Sequence, residues 1–488
     1  MNYIQPADRH QYQLMSSLDD LVEPNHPVRI IDKIVDSIVG SNPSRFSRER
    51  EQEAGRPRYH DSTKLKLYLY GYFNGISSSR KLEAETHRNI ELIWLLGGLR
   101  PDHWTISNYR KEKGEDIKYV TKKFREFLRA NGYIKMKIVG LDGSKIKANA
   151  NRDMLTMERI EGKMEGLGKS LEEYLSKLQE NDIRDEIIDE MQGYEQGEEK
   201  KKYLEKIIEL QKQIEKLQSQ KEILEKEDRT RISPSDLDAR LMKSREGKIP
   251  GYNVQIVVDE ENKMIVDSEV LCNGNDKELL PVMVASIKEE LVELPKEIIA
   301  DRGYNNPDLI ERIEASEEDV QIYTSQEKTL RDKEEIKFNY DPEKDEYICS
   351  AGKRLVLHQK NKRLNKSRGN IYLGIECEGC QLRSQCTSSK KGRTVRRYFN
   401  QQWRDQYKKK MLSRMGKSKT SIRKTIVEHP FGTIKCLMGK IPLLLRGLTK
   451  VSTEINLYLT AYNLKRLINI DTFESLMLKI EQYKWETV

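Results

Sequence analysis

The segment from about residue 157 to 228 limits the fold most, because its pattern predicts a pair of long helices. Its composition changes abruptly to Glu, Lys, Gln, Leu and Ile. An earlier arm carries Leu171, Tyr174 and Leu178, and the glycine-containing GYEQGEE separates it from a later arm. We predict a helical hairpin inserted into another domain, either a dimerisation or DNA-spanning arm or a self-packed spacer. The later arm alternates spacings of four and three, the mark of a heptad seam, at Tyr203, Ile207, Leu210, Ile214, Leu217, Lys221 and Leu224.

Strand-like segments flank this hairpin on both sides. MKIVGLDGSKIKANA precedes it, and it is followed by YNVQIVVD, MIVDSEVL, EIIADRGYN and VQIYTS. Helical patterns in DKELLPVMVASIKEEL and NPDLIERIEA separate the later strands, which gives the order β, β, β, α, β, α, β. This succession predicts an α/β domain with a mixed sheet. We assign it to residues 133–156 and 229–330, with the hairpin, 157–228, as an interruption.

The other segments are helical or rich in turns. Residues 1–132 contain short helices such as HPVRIIDKIVDSIVG and STKLKLYLYGYFNG, which suit either a helix-turn-helix-like DNA-binding domain or a structural bundle. Residues 331–400 form a Cys-rich insertion, and residues 401–488 are helical again. Between Arg404 and Lys424 there are nine Lys or Arg and one acidic residue. A run with so large an excess of positive charge favours contact with nucleic acid over a merely solvated face.

Bulk composition argues against membrane and secreted classes. The 488 residues are 34% charged and 36% hydrophobic, with a net charge of +8. No apolar run approaches the roughly 18 residues of a membrane helix, and MNYIQPADRHQYQ lacks the apolar core of a signal peptide. We expect a cytoplasmic protein without a membrane partner. Its six cysteines should then be reduced or bound to metal rather than disulfide-bonded.

Three carboxylates suggest a chemical site. Asp142 and Asp301 each follow an apolar strand, in LDGSK and ADRGY, and Glu428 lies in the helical TIVEHPFGTIK. Ligand and metal sites collect at the carboxyl ends of strands, although capping a turn would explain either aspartate alone. Together the three form an all-oxygen set suited to Mg²⁺ or Mn²⁺. Two such ions would assist an in-line phosphoryl displacement.

A cysteine pattern suggests a second metal. Cys349, Cys377, Cys380 and Cys386 read C-x27-C-x2-C-x5-C. Four thiolates in this spacing fit a closed, structural Zn²⁺ site, and the alternative is a loop with reduced thiols. Cys272 and Cys436 stand alone in apolar surroundings and are expected to be small buried side chains.

These motifs, taken in order, resemble the DDE transposases of bacterial insertion sequences, which have an RNase H-like fold. The resemblance covers most of the chain, through GRPRYHDSTKLKLYLYGYFNGISSSRKLEAET, VGLDGSKIKANA, SPSDLDARLMKSREGKIPGYNVQIVVD, IIADRGYNNPDLI and TIVEHPFGTIK. It implies that Asp142, Asp301 and Glu428 are the first, second and third metal-binding carboxylates, holding two Mg²⁺ or Mn²⁺. It also implies double-stranded DNA as the partner, both the element's terminal inverted repeats and the target, with a dimer or larger assembly in the active complex.

The resemblance is imperfect around the glutamate. Related transposases often carry Tyr-x2-Arg-x3-Glu-x6-Lys, and here the four positions are Ser421, Lys424, Glu428 and Lys435. Lys keeps the charge of Arg but loses its bidentate fork, so Arg423 is a candidate substitute. We expect phosphate contacts from five basic residues: Lys145, Arg302, Arg423, Lys424 and Lys435.

Other roles and functions stay open at this point. The neighbouring His429 would either orient water or phosphate or be structural. The alternative functions are an RNase H-like nuclease without strand transfer and a catalytically inert, DNA-binding architectural protein.

Overall fold

The computed structural model describes residues 17–46, 58–189, 197–244, 247–291, 293–317, 319–325, 337–364, 367–437 and 442–485. Its helices, in chain order, are α1 (Pro27–Ser41), α2 (Pro43–Phe46), α3 (Asp61–Phe73), α4 (Ser79–Arg88), α5 (Ile90–Leu95), α6 (His103–Glu112), α7 (Gly114–Ala130), α8 (Met157–Asp189), α9 (Gly197–Lys226), α10 (Leu280–Leu291), α11 (Pro307–Ser316), α12 (Arg383–Cys386), α13 (Gln401–Leu412), α14 (Arg414–Leu437), α15 (Leu448–Ile470) and α16 (Phe473–Gln482).

The strands form two separate sheets. The first contains β1 (Ile138–Lys147), β2 (Arg240–Ser244), β3 (Gly247–Asp259), β4 (Ile265–Leu271), β5 (Glu297–Ala300) and β6 (Gln321–Thr324). The second contains β7 (Phe338–Asp341), β8 (Glu346–Cys349), β9 (Arg354–Leu364), β10 (Ser367–Gly374) and β11 (Thr394–Tyr398).

The first sheet is mixed, as the sequence predicts. Its strand order is β2-β3-β1-β5-β6, with β4 also paired to β3. Strand β5 runs parallel to both β1 and β6, whereas β3 is antiparallel to β1, β2 and β4. Every strand and helix predicted for this part of the chain is present. Sequence reasoning missed β2, a five-residue strand whose segment RLMKS carries two basic residues and little apolar periodicity.

One hydrophobic core joins this sheet to the helices from both ends of the chain. Helix α15 supplies Val451, Ile455, Leu459 and many other buried residues to it, beside residues of α1, α3 and α7. Helix α15 packs against α3, α7 and β4, and α16 packs against α1. The domain boundary at residue 132 stays a prediction, since the described core extends across it.

A buried ion pair ties the N-terminal helices to α15. The guanidinium of Arg110 and the carboxylate of Glu454 lie 3.8 Å apart, and their side chains are 3% and 0% exposed. Arg110 also donates to the Tyr72 hydroxyl at 2.8 Å, and Glu454 accepts the backbone N–H groups of Leu444 and Leu445. These additional hydrogen bonds are what a buried pair needs to offset its desolvation.

The SPSDLDAR motif supports the start of α15. Asp236 accepts the N–H of Gly447 at 3.1 Å and the Tyr252 hydroxyl at 2.7 Å. Asp238 accepts the N–H of Leu448 at 2.8 Å. Because the first N–H groups of a helix have no partner within the helix, these carboxylates fix where α15 begins.

Helices α8 and α9 pack against each other as the heptad pattern predicts. The seam residues Ile207, Leu210, Leu217 and Leu224 are buried. The rings of Tyr174 and Tyr203 lie 6.1 Å apart, and Lys221 forms an ion pair with Glu161 across the two helices. The GYEQGEE connection falls largely outside the described residues. The role of this pair as an arm or a spacer stays a prediction.

The second sheet occupies the Cys-rich segment, where the sequence indicates only turns. It is an antiparallel meander in the order β11-β10-β9-β8-β7, with a small core of Tyr347, Leu355 and Tyr372. Asp308 on α11 anchors it to the first sheet's helices, since this carboxylate contacts Ser367 and accepts from Asn400 and Arg404. Within the described ranges, no helix has the length and apolarity needed to cross a membrane.

Candidate active site

The parallel pairing of β1 and β5 places two aspartates side by side. The last paired residues are Leu141 on β1 and Ala300 on β5, and Asp142 and Asp301 are the next residue on each strand. Asp301 stands at the end of its strand, as predicted, and its Oδ1 accepts the N–H of Gly303 at 2.6 Å. This contact caps the short 3₁₀ turn Arg302–Tyr304.

The prediction that Asp142 ends its strand is wrong. Strand β1 continues to Lys147, because β3 pairs with it on the other side from Val139 to Lys147. Only the pairing with β5 stops at Leu141. Asp142 therefore sits where β1 loses its parallel neighbour but keeps its antiparallel one, which holds the aspartate's backbone rigidly within the sheet.

The surroundings of Asp142 disfavour its negative charge. Burial raises the pKa of its carboxyl, the Arg423 guanidinium opposes this, and the charges of Asp301 and Asp276 add to the increase, giving a pKa of about 6. Arg423 Nη1 lies 3.4 Å from Asp142 Oδ1. A cation is stabilising beside a buried carboxyl whose pKa is raised in part by neighbouring carboxylates.

Helix α14 carries Glu428 across the same strands. Its buried Ile426 and Val427 pack against Gly140 so closely that a Cβ there would lie 2.7 Å from Val427 Cγ1 and 2.8 Å from Ile426 Cγ2. Pro430 lies inside the helix, and it removes the N–H that would bond to the Ile426 carbonyl. The carboxylate of Glu428 is exposed.

The three predicted ligands are not gathered into one formed site. In the part of the chain that the structure describes, no group of three or more His, Cys, Asp or Glu side chains is arranged to hold a metal ion. The structure brings Asp142 and Asp301 together, with Arg423 as the nearby counter-charge. Glu428 is on the adjacent helix but faces solvent.

The predicted phosphate-contacting residues have different surroundings. Lys145 is largely buried and donates to Asp276 Oδ1 at 2.8 Å, and Arg423 is paired with Asp142. Arg302 and Lys424 are exposed. Lys435 belongs to α14, but its side chain lies outside the described residues, and so does that of Cys436.

His429 has a structural contact. Its Nδ1 lies 2.9 Å from the Tyr462 hydroxyl, which donates to the backbone carbonyl of Lys263. Burial, with the charges of Arg466 and Lys263, lowers the pKa of this imidazole. The histidine therefore joins α14 to α15, which favours the structural interpretation of the two that the sequence left open.

Part of the basic run between Arg404 and Lys424 is used within the fold. Several of its members form ion pairs within the fold, among them Arg404 with Asp308, Lys410 with Glu314, Lys419 with Glu297 and Arg423 with Asp142. Others face solvent, among them Lys409, Arg414, Lys417 and Lys424. The density of positive charge in the sequence therefore overstates the charge available to DNA.

The four cysteines of the second sheet surround one cavity. Cys349, Cys377, Cys380 and Cys386 line it together with Arg393, and the Arg393 N–H lies 3.5 Å from Cys377 Sγ. Burial raises the pKa of the Cys386 thiol, and the nearby Cys377, Cys349 and Cys380 contribute to the increase. The thiols are thus neighbours, although within the described ranges they are not in a metal-ligand arrangement.

Sequence reasoning missed Asp276. It begins the 3₁₀ turn Asp276–Glu278, between β4 and α10, and its charge contributes to the raised pKa of Asp142. Its Oδ1 accepts from Lys145, Asn253 and Gln255. Asp276 follows no apolar strand directly, so the pattern that identified the other two aspartates could not find it.

Two segments of the chain match models of known protein families. Residues 348–468 match the model of a transposase DDE domain, and residues 16–112 match that of a transposase domain named DUF772. The first range includes Glu428 and the four clustered cysteines, whereas Asp142 and Asp301 lie outside both ranges. The two matches support a DDE-class transposase of an insertion sequence. A transposase DDE domain indicates a class of enzymes that cleave DNA and transfer its strands. Domains of this class are generally dependent on divalent metal ions.

A solved structure, "Cryo-EM structure of piggyBac transposase synaptic complex with hairpin DNA (SNHP)", is 11% identical, with 95% of this chain and 86% of that chain covered and a TM-score of 0.24. A likeness this low carries no structural argument. No curated protein matches the chain.

Proposed function

We propose that this transposase binds the terminal inverted repeats of its insertion sequence, cleaves the DNA there and joins the ends to target DNA, with Asp142, Asp301 and Glu428 as its metal-binding carboxylates. The observation that carries the proposal is the register of β1 and β5, since it places Asp142 and Asp301 side by side after the last parallel pair. The charge of Asp301 is one cause of the raised pKa of Asp142.

An RNase H-like core is part of this proposal. If the short β2 is set aside, the first sheet has five strands in chain order, β1, β3, β4, β5 and β6. Asp142 then lies on the first strand, Asp301 follows the fourth, and α14 with Glu428 comes after the fifth. These are the positions that the resemblance to DDE transposases implies for the three carboxylates.

The donor chemistry fits Mg²⁺ or Mn²⁺. Asp142, Asp301 and Glu428 offer only oxygen, the ligand atom these ions prefer. When bound, two such ions would stabilise the attacking and leaving oxygens of a phosphoryl transfer. Arg423 partly neutralises Asp142. Glu428 lies five residues after Arg423 on the same helix, and its exposed carboxylate has to come together with the two aspartates for the three to bind metal jointly.

The DNA contacts follow from exposure and charge. Arg302, Lys424 and the solvent-facing Lys409, Arg414 and Lys417 are suited to the phosphate backbone, where each contact releases condensed counterions. Lys145 and Arg423 would instead act near the carboxylates. We assign the helices of residues 1–132 to binding the element's ends, and since two ends must be paired, the active complex is a dimer or larger.

A structural Zn²⁺ in the second sheet completes the proposal. The four cysteines around one cavity have the donor chemistry of a closed zinc site. A sheet whose buried core is this small would benefit from such a cross-link, because metal binding contributes directly to folding.

Three neutralising variants test the catalytic assignment. Asp142→Asn, Asp301→Asn and Glu428→Gln should each abolish metal-dependent cleavage of an element end while binding of that end survives. Glu474→Gln is a matched control, since Glu474 is also an exposed glutamate on a helix, α16. A variant of the three that cleaves at the normal rate would remove its carboxylate from the mechanism.

The products separate the alternative functions. Joined molecules of element end and target support strand transfer, whereas cleavage without joining indicates a nuclease. Binding of the ends without cleavage under any divalent ion would indicate an architectural protein.

A further inference from the structure

We propose that Asp276 is a fourth functional carboxylate of the active site, a positioning residue that holds the turn after Asp301 and the side chain of Lys145 in place without binding metal itself. This inference rests on the proposed function of Asp142 and Asp301. It concerns a residue that neither the strand pattern nor the matched family ranges identify.

Asp276 lies close to both aspartates. A Cβ placed on Gly303, two residues after Asp301, would be 2.8 Å from Asp301 Oδ1, 3.5 Å from Asp276 Cβ and 3.6 Å from Asp276 Oδ2. Lys145, three residues after Asp142 on β1, reaches Asp276 Oδ1 at 2.8 Å. Asp276 is therefore at the edge of the carboxylate pair and in contact with the strand or turn that carries each member.

One oxygen of Asp276 is fully occupied. Oδ1 accepts from Lys145 Nζ at 2.8 Å, Asn253 Nδ2 at 2.7 Å and Gln255 Nε2 at 3.1 Å. An ionised carboxylate has about four acceptor positions over its two oxygens, so three donors leave Oδ1 no capacity for a cation. These three donors fix Asp276 to Lys145, Asn253 and Gln255, which is the basis for a role through those residues, and the Mn²⁺ measurements below test whether Oδ2 also binds metal.

Two buried amides connect Asp276 to the turn after Asp301. Asn253 and Gln255 on β3 are fully buried, and Gln255 Nε2 also donates to Asn253 Oδ1 at 2.8 Å. The Tyr304 hydroxyl donates to Gln255 Oε1, and Tyr304 closes the 3₁₀ turn that Asp301 caps. The path from Asp276 to this turn is therefore a continuous chain of hydrogen bonds.

The same amides pack against β1 at Gly143, the residue after Asp142. Gln255 pairs with Gly143 across β1 and β3, and a Cβ on Gly143 would collide with Gln255 Nε2. Glycine at this position lets the network approach the strand directly behind Asp142. Buried polar groups are costly unless every member is paired, so Asp276, the shared acceptor, is the residue on which this arrangement depends.

Direct metal binding separates a positioning role from a structural one. We would measure Mn²⁺ affinity by calorimetry, together with Mn²⁺-dependent cleavage and binding of an element end, for the full chain and for Asp276→Asn. Substitution of a residue that supports a metal ligand typically lowers metal affinity or activity by about 10- to 100-fold. We expect the Mn²⁺ Kd of Asp276→Asn to rise by that factor, with cleavage partly restored at high Mn²⁺ and end binding unchanged.

Asn275→Ala is the matched control. Asn275 is exposed and accepts the Lys277 N–H, so it caps the same turn as Asp276 without joining the network. If Asp276→Asn and Asn275→Ala have the same Mn²⁺ Kd and cleavage rate, the turn is only structural and the inference is wrong. Complete loss of Mn²⁺ binding, not restored at any concentration, would make Asp276 a ligand and would also overturn it.

Asp142→Asn, measured in parallel, distinguishes a failure of the proposed function from a failure of the role proposed for Asp276. If Asp142→Asn cleaves normally, the proposed function itself fails. If Asp142→Asn is inactive while Asp276→Asn behaves as the unchanged protein, only the role of Asp276 is refuted.

Discussion

Gly140 sets the distance between the sheet and the helix that carries Glu428, so Gly140→Ala tests the site without altering a charge. A Cβ there would lie 2.7 Å from Val427 Cγ1, about 0.7 Å short of the 3.4 Å at which ordinary contact begins. Neither neighbour can yield easily, since Ile426 and Val427 are both fully buried. Overpacking of this kind costs about 1–3 kcal/mol, and we expect the free energy of unfolding to fall by that amount.

The catalytic effect should exceed the loss of stability. A misplacement of about 1 Å can reduce a rate about 100-fold, so displacement of α14 by several tenths of an ångström should slow cleavage about 10- to 100-fold. Urea denaturation would measure the stability, and cleavage of a labelled element end would measure the rate at a temperature where the variant is folded.

Gly432→Ala is the control for this prediction. Gly432 is on the same helix, four residues after Glu428, and a Cβ added to it would meet no atom of the described residues within 4 Å. Alanine there should stabilise the helix by about 0.5–1 kcal/mol and leave cleavage unchanged. If Gly140→Ala cleaves and unfolds like the unchanged protein, α14 does not depend on this contact and the reasoning fails.

Three further outcomes are expected. Glu454→Gln leaves the buried Arg110 charge uncompensated, so urea denaturation should show a loss of about 3–5 kcal/mol, and a loss below about 1 kcal/mol would contradict the role of this pair. The folded-state pKa of Asp142 is raised from 3.8 to about 6, so the contribution of this residue to the stability of the metal-free protein is complete below about pH 4 and is lost as the pH rises through about 6. The loss in the free energy of unfolding is at most about 3 kcal/mol. Urea denaturation at a series of pH values should show that Asp142→Asn flattens this part of the stability profile. Elemental analysis of the purified protein should find zinc. Cys380→Ser should lose this zinc, and Cys272→Ser, outside the cluster, should retain it. Equal zinc content in the two variants would refute the zinc site.

Local patterns were sufficient for the order of the elements in the first sheet, apart from β2, and for the pairing of α8 with α9. Short apolar runs with β-branched residues, as in YNVQIVVD, favour buried strands, and the heptad seam around Leu217 favours packing against a partner helix. Both signals are carried by neighbouring residues, so they survive without knowledge of the fold. The second sheet escaped prediction because strands such as RLVLHQKNKRL are rich in basic residues and bury little, and their pairing with one another depends on contacts distant in sequence.

For the site, the sequence by itself determined which residue types were available: two aspartates in apolar, strand-forming segments and a glutamate on a basic helix. Only the tertiary structure decided their surroundings. The parallel register of β1 and β5 made Asp142 and Asp301 neighbours, and α14 gave Asp142 the guanidinium of Arg423 while leaving Glu428 exposed. Asp276 lies next to these residues because it is hydrogen-bonded to side chains of β1 and β3. Strand register and packing bring such residues together, and their separation along the chain gives no local signal in the sequence.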